Sequence, residues 1–220
     1  MKDSTFKIGF VVIAAVLCVC TMTSVAQTLP MKDAIAVGGS LTFPAGKGTN
    51  DFTDVHGSTL CFSADLNYRH YLSDVAALGA IYQFCGSHHD RDLLRCHYIA
   101  PTLTCRALQN EGSQSLYFTF GMGFLLYSDR IYSRPAANHT FNHGYFAASL
   151  SLGYEWTFSN RLSSQLHIDF LTAKWSENEN YQPSWQRDNP NEYESMFEPK
   201  RMFASVGLDI QFSLGKPDNP

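Results

Sequence analysis

The chain has 220 residues and a mass of 24.6 kDa, with 45% hydrophobic and 14% aromatic residues but only 16% charged ones, where an average soluble domain carries about 25%. A net charge of −4 and a pI near 6.0 exclude a highly charged disordered chain and leave no basic surface for nucleic acid. No set of apolar runs of about 20 residues is present, so a helical membrane bundle is excluded, and the length fits one domain.

Lys2 and Lys7 flank the start of an uncharged apolar run from Ile8 to Cys20, and Ser24-Val25-Ala26 supplies small residues ahead of Gln27. This layout predicts a signal peptide, residues 1–26, cleaved after Ala26 to leave residues 27–220 as the mature domain. The run is 13 residues long, shorter than the roughly 20 that a helical anchor needs. The residues ahead of Cys18 and Cys20 are larger than a lipoprotein signal prefers. The mature chain keeps 14 basic and 19 acidic residues, a net charge of −5, and four cysteines in a compartment that permits disulfides.

From residue 33 to about 214 the chain alternates with period two, the mark of half-buried strands. Over 34–43, Ile35, Val37, Leu41 and Phe43 oppose Ala34, Ala36, Ser40 and Thr42. Over 59–71, Phe62, Leu66 and Tyr68 oppose Cys61, Asp65 and Arg69. Segments 75–86 and 96–107 follow, the second noisier than the first. The later segments, at 116–127, 146–156, 162–170 and 202–212, repeat the pattern more cleanly; Leu150, Leu152 and Trp156, for example, oppose Ser149, Ser151 and Glu155. These eight segments alternate short links (72–74, 109–114, 159–161) with long ones (44–57, 87–93, 128–143, 174–200). Short turns at one end and long loops at the other, with strands of nine residues or more, fit a closed antiparallel eight-stranded up-and-down transmembrane β-barrel.

Alternation alone leaves open which face points outward. A soluble lipocalin-like ligand-binding barrel would be polar outside and apolar inside. The polar face here is mostly Gly, Ala, Ser, Thr and Asn, small enough to fill an eight-stranded interior and too poor in charge for a water-facing exterior. The apolar face lacks charge, as lipid requires, and Tyr68, Tyr82, Phe84, Tyr154, Trp156 and Phe212 sit toward strand ends where aromatic girdles lie. Lipid also excludes an open sheet edge, so the last strand is expected to pair with the first.

On these features the chain resembles the bacterial eight-stranded outer-membrane β-barrel family, which includes OmpA-type transmembrane domains and OmpX-like proteins. Ser205, Gly207, Ile210 and Phe212 match that family's C-terminal assembly signal. The resemblance implies insertion by the barrel-assembly machinery into outer-membrane lipid and lipopolysaccharide. The chain departs from the family in a short polar tail, Ser213 to Pro220, too small to be a peptidoglycan-binding domain. A structural or surface-interaction role is expected, with loops 44–57, 128–143 and 174–200 open to an extracellular ligand. The last of these carries Trp175, Tyr181, Trp185 and Tyr193.

The polar face also holds ionisable groups of both signs: Asp65, Arg69, Arg106, Glu155, His167, Asp169 and Asp209. Buried charges require partners, so an interior ion-pair network is expected, with Arg69, Arg106, Glu155 and Asp209 nearer the short turns; a proton path or narrow pore is the sharper alternative. A barrel enzyme acting on lipid A is the runner-up function. Its candidates would be Ser87, His88, His89, Asp90, Ser128, His139 and His143, but no spacing among them compels a triad. Neither a metal nor a cofactor is expected. Cys85 and Cys96 are expected to face each other across the 87–93 link and to form a disulfide, with Cys61 inward near the external end and Cys105 facing lipid.

Overall fold

The computed structural model describes residues 32–45, 60–89, 92–109, 113–131, 139–174 and 200–214. The signal segment, its cleavage site and the tail beyond 214 lie outside the described residues. Eight strands follow in order: β1 (Asp33–Ala45), β2 (Cys61–Ser73), β3 (Ala76–His89), β4 (Asp92–Gln109), β5 (Gln114–Ile131), β6 (His139–Ser159), β7 (Leu162–Lys174) and β8 (Lys200–Leu214). Each pairs antiparallel with its neighbour in sequence. β8 pairs with β1 from Asp33↔Leu214 to Ala45↔Met202, which closes the barrel and leaves no open edge.

Burial follows the alternation strand by strand. β2 reads inward at Cys61, Ser63, Asp65, Asn67, Arg69 and Tyr71, and outward at Phe62, Ala64, Leu66, Tyr68 and Leu72. The exposed large side chains, such as Val37, Phe62, Ile99, Phe124, Leu152 and Leu208, fall on the outward parity throughout. An exterior of this kind is stable in hydrocarbon and would be strongly unfavourable in water. It is the reverse of the polar outer surface that a lipocalin-like barrel needs. Outward tyrosine hydroxyls find partners on the same surface: Tyr68 Oη donates to Asp33 Oδ1 (2.6 Å), and Tyr154 Oη donates to Gln114 Oε1 (2.5 Å).

Two links differ from the sequence expectation. β3 and β4 remain paired as far as His89↔Asp92, so of the 87–93 link only residues 90 and 91 fall outside the described strands. β5 and β6 pair as far as Ile131↔His139, which turns much of the 128–143 link into ladder. Strands of 18 and 21 residues exceed the roughly 9–11 needed to cross hydrocarbon, so this hairpin stands above the apolar belt. Backbone pairing carries on there after the one-sided apolar pattern has ended.

The interior is filled at both heights. Toward the long links, Leu94, Tyr98, Leu125, Tyr127, Tyr145, Leu171 and Phe203 pack with Cys61, Cys85 and Cys96 into one apolar cluster. Thr42 lies below it, bonded to Ser63 and Ser205 at 2.5 and 2.8 Å. Beneath these hydroxyls the interior is mainly polar and charged, with a small apolar cluster of Ala34, Tyr71 and Ala77 near the short turns.

Candidate functional site

The ionisable interior residues come from β2, β4, β6, β7 and β8, and they form two groups instead of one ion-pair network. Nearest the short turns, Arg106 Nη2 meets Glu155 Oε1 at 3.2 Å and Ser115 Oγ at 3.2 Å, and its guanidinium lies 5.1 Å from the Tyr71 ring centroid. Two glutamines extend this group. Gln165 Nε2 donates to Glu155 Oε2 (3.0 Å), and Gln211 Nε2 donates to Glu155 Oε1 (3.3 Å) and Ser163 Oγ (3.2 Å). Arg69 has no carboxylate partner among the described residues. Its Nη1 donates to Gln165 Oε1 (3.1 Å) and Gln211 Oε1 (2.9 Å), and its guanidinium stacks 4.9 Å from the Tyr117 ring. Gly153 makes room for that ring: a Cβ there would come within 2.4 Å of Tyr117 Cζ.

The second group lies one layer higher and includes Asp209, which the sequence reading placed with the arginines. His167 Nδ1 lies 2.8 Å from Asp169 Oδ2, and its Nε2 lies 2.9 Å from Asp209 Oδ1. Asp65 approaches the same point from β2, and one ligand atom from each of Asp65, His167 and Asp209 falls within 4.8 Å of the others. Asp65 Oδ2 accepts from Asn67 Nδ2 at 3.4 Å, whereas Asp65 Oδ1 is buried without a partner.

Two glycines allow this convergence. Gly38 of β1 is the register partner of both Asp65 and Asp209 and so lies between them. A Cβ on Gly38 would stand 1.8 Å from Asp209 Oδ1, so only glycine lets the carboxylate lie over that strand. Gly207 of β8 pairs with His167 and with Ser40. A Cβ there would lie 2.5 Å from His167 Cε1 and 2.7 Å from Ser40 Cβ. Gly207 thus has a packing role inside the barrel beyond its place in the C-terminal motif, where Ser205 also faces inward and Ile210 and Phe212 face outward.

Sequence reasoning named the seven charged groups but missed Gln165, Gln211 and Tyr117, which hold Arg69, and the glycines that create the space. Isolated glycines on an inward strand face were the available signal, since they mark close approach.

Cys85 is the register partner of Cys96, and Cys61 joins them in the apolar cluster; no disulfide links the described cysteines. Cys105 lies on the outward parity opposite Phe118, but it is buried by its neighbours and does not face lipid as expected. Among the candidates for a lipid A enzyme, Ser87 Oγ donates to the Leu60 carbonyl at 3.5 Å. His88 and His89 stand on β3, and His139 and His143 on β6, with β4 and β5 between them. Asp90, most of the 44–57 segment and residues 175–199 lie outside the described residues.

No protein-family model matches the sequence, and no curated protein matches it. Solved structures do. Neisserial surface protein A aligns with a TM-score of 0.59 at 6% identity, covering 83% of this chain and 97% of that one. The outer membrane protein OprG from Pseudomonas aeruginosa aligns with a TM-score of 0.49 at 9% identity, covering 86% of this chain and 98% of that one. Ail, the attachment invasion locus protein of Yersinia pestis, aligns with a TM-score of 0.47 at 9% identity, covering 83% and 99%. The chain has the closed eight-stranded antiparallel fold of small bacterial outer-membrane β-barrels.

Proposed function

We propose that the chain is a non-conducting outer-membrane barrel that holds the segments 46–59, 132–138 and 175–199 at the cell surface to meet an extracellular ligand. The filled interior carries this reading. An apolar cluster around Leu94, Tyr98, Leu125 and Phe203 occupies the end toward the long links, and the Arg106–Glu155 group occupies the other. A water-filled path would require both to move. With the wall apolar and the interior packed, the chemistry left for contact with other molecules lies in the linking segments. The span from Lys174 to Lys200 is the longest, with six acidic residues, three basic ones and four Trp or Tyr, and long loops on rigid scaffolds carry binding function.

Deletion of residues 176–198 tests the reading. Assembly into the outer membrane is expected to persist while adhesion to host cells or sensitivity to phage falls. Unchanged adhesion and phage sensitivity in the deletion would count against a binding role for that segment, and discrete channel events from purified protein in planar bilayers would remove the non-conducting claim.

A further inference from the structure

We propose that Asp65, His167 and Asp209 form a buried binding site for one divalent first-row transition-metal ion, with Asp169 orienting the histidine. The three residues come from three different strands, and their ligand atoms lie within 4.8 Å of one another inside the barrel. An imidazole and two carboxylates suit ions such as Zn²⁺, Mn²⁺ or Fe²⁺.

Four independent features converge on that point. First, Asp65 is 5% exposed and its Oδ1 has no hydrogen-bond partner, although a buried carboxylate oxygen is costly to leave unsatisfied. Second, His167 presents Nε2 to the carboxylates while Nδ1 lies 2.8 Å from Asp169 Oδ2. Nε2 lies 2.9 Å from Asp209 Oδ1, so an ion bound there would take the place of the proton these two atoms share, while Nδ1–H stays with Asp169 as in the carboxylate–histidine–metal arrangement of protein metal sites. Third, Gly38 and Gly207 let the Asp209 carboxylate and the His167 ring lie over their strands, where a Cβ would clash with them, and so bring the ligand atoms together. Ser40, itself 7% exposed with an unpartnered Oγ, packs beside Gly207 next to the His167 ring.

The fourth feature is charge. The inward faces of the described strands hold four carboxylates (Asp65, Glu155 and Asp209 buried, Asp169 partly exposed) and two guanidiniums (Arg69 buried, Arg106 partly buried). Among the described side chains, an imidazolium at His167, held between Asp169 and Asp209, leaves one negative charge in excess, and a divalent cation that displaces its proton brings the group to neutrality. Arg69 and Arg106 are already engaged one layer below by the glutamines and Glu155.

In a site of this depth the ion is best loaded during folding. The full chain is refolded in detergent with Co²⁺ or Zn²⁺, desalted, and assayed for bound metal and for visible cobalt absorption. One equivalent per chain is expected, with a ligand-field band from Co²⁺. Asp65→Asn and His167→Gln should each lower affinity at least tenfold, and Asp169→Asn by about 10- to 100-fold, the range of outer-shell substitutions. The heat-dependent gel shift shows which variants have folded. If His167→Gln does not fold, Asp65→Asn decides alone, because asparagine keeps the size of that side chain. Absence of stoichiometric metal in the folded wild-type chain would overturn the proposal. So would metal retained at full affinity in folded Asp65→Asn, since binding would then rest on other residues, such as the histidines near the links.

Discussion

Single residues decide how the interior is filled. Tyr117 is buried beneath Arg69 and lies flat only because Gly153 has no side chain. Gly153→Ala would force the ring or the strand to shift, at a cost of about 1–3 kcal/mol as in other overpacked cores. Gly144→Ala should be nearly neutral, because its added Cβ would touch only Leu126 Cδ2 at 3.6 Å. Urea unfolding of the two variants in lipid vesicles makes the comparison. Cys85 and Cys96 raise a separate expectation. As register partners they are within reach of a disulfide, and an exported chain would meet an oxidising compartment. Alkylation of the denatured exported chain should find two fewer reactive thiols without reductant than with it; equal labelling would reject the bond.

The charged residues of the site were legible in the sequence as inward-parity positions, but their grouping was not. Parity gives a face and a depth, whereas partner choice depends on side-chain reach across strands distant in sequence. Asp65 and Asp209 meet only because Gly38 separates them, and three strands must be in register before that is visible. The glutamines around Arg69 were hidden for another reason: a neutral amide on a polar face carries no sequence mark that it will take the place of a carboxylate.

At the scale of the strand, legibility followed the lipid. Where one face meets hydrocarbon, apolar residues recur at every second position, and β6 reads plainly from Phe146 to Trp156. Above the belt nothing imposes that period. Ser128-Asp129-Arg130-Ile131 and the stretch from His139 to His143 lack it, yet their backbones continue the β5–β6 ladder. The same physics sets the cost of charge on the outer surface. Leu152 pairs with Phe118 and Ile168 near mid-strand, while Phe158 lies beside the 160–161 turn. Leu152→Arg should therefore destabilise the folded barrel by about 2–4 kcal/mol and Phe158→Arg by about 0–1 kcal/mol. Equal effects in vesicle unfolding titrations would mean that the outer surface does not experience a hydrocarbon gradient.

The whole molecule is a closed ladder whose two surfaces face different environments. Closure through β8 and β1 satisfies every strand edge, so the barrel tolerates lipid outside and spends its polar groups on one another inside. This also explains the composition. A chain with few charges and near-neutral hydropathy averages an apolar exterior with a small-residue polar interior.

Gel migration of the chain from isolated outer membranes, with and without heating, tests the claim that it folds there as a closed barrel. A closed barrel resists detergent unfolding at room temperature, so the unheated chain is expected to run faster than the heated one. A chain missing from that membrane fraction, or one whose mobility does not change on heating, would contradict the claim.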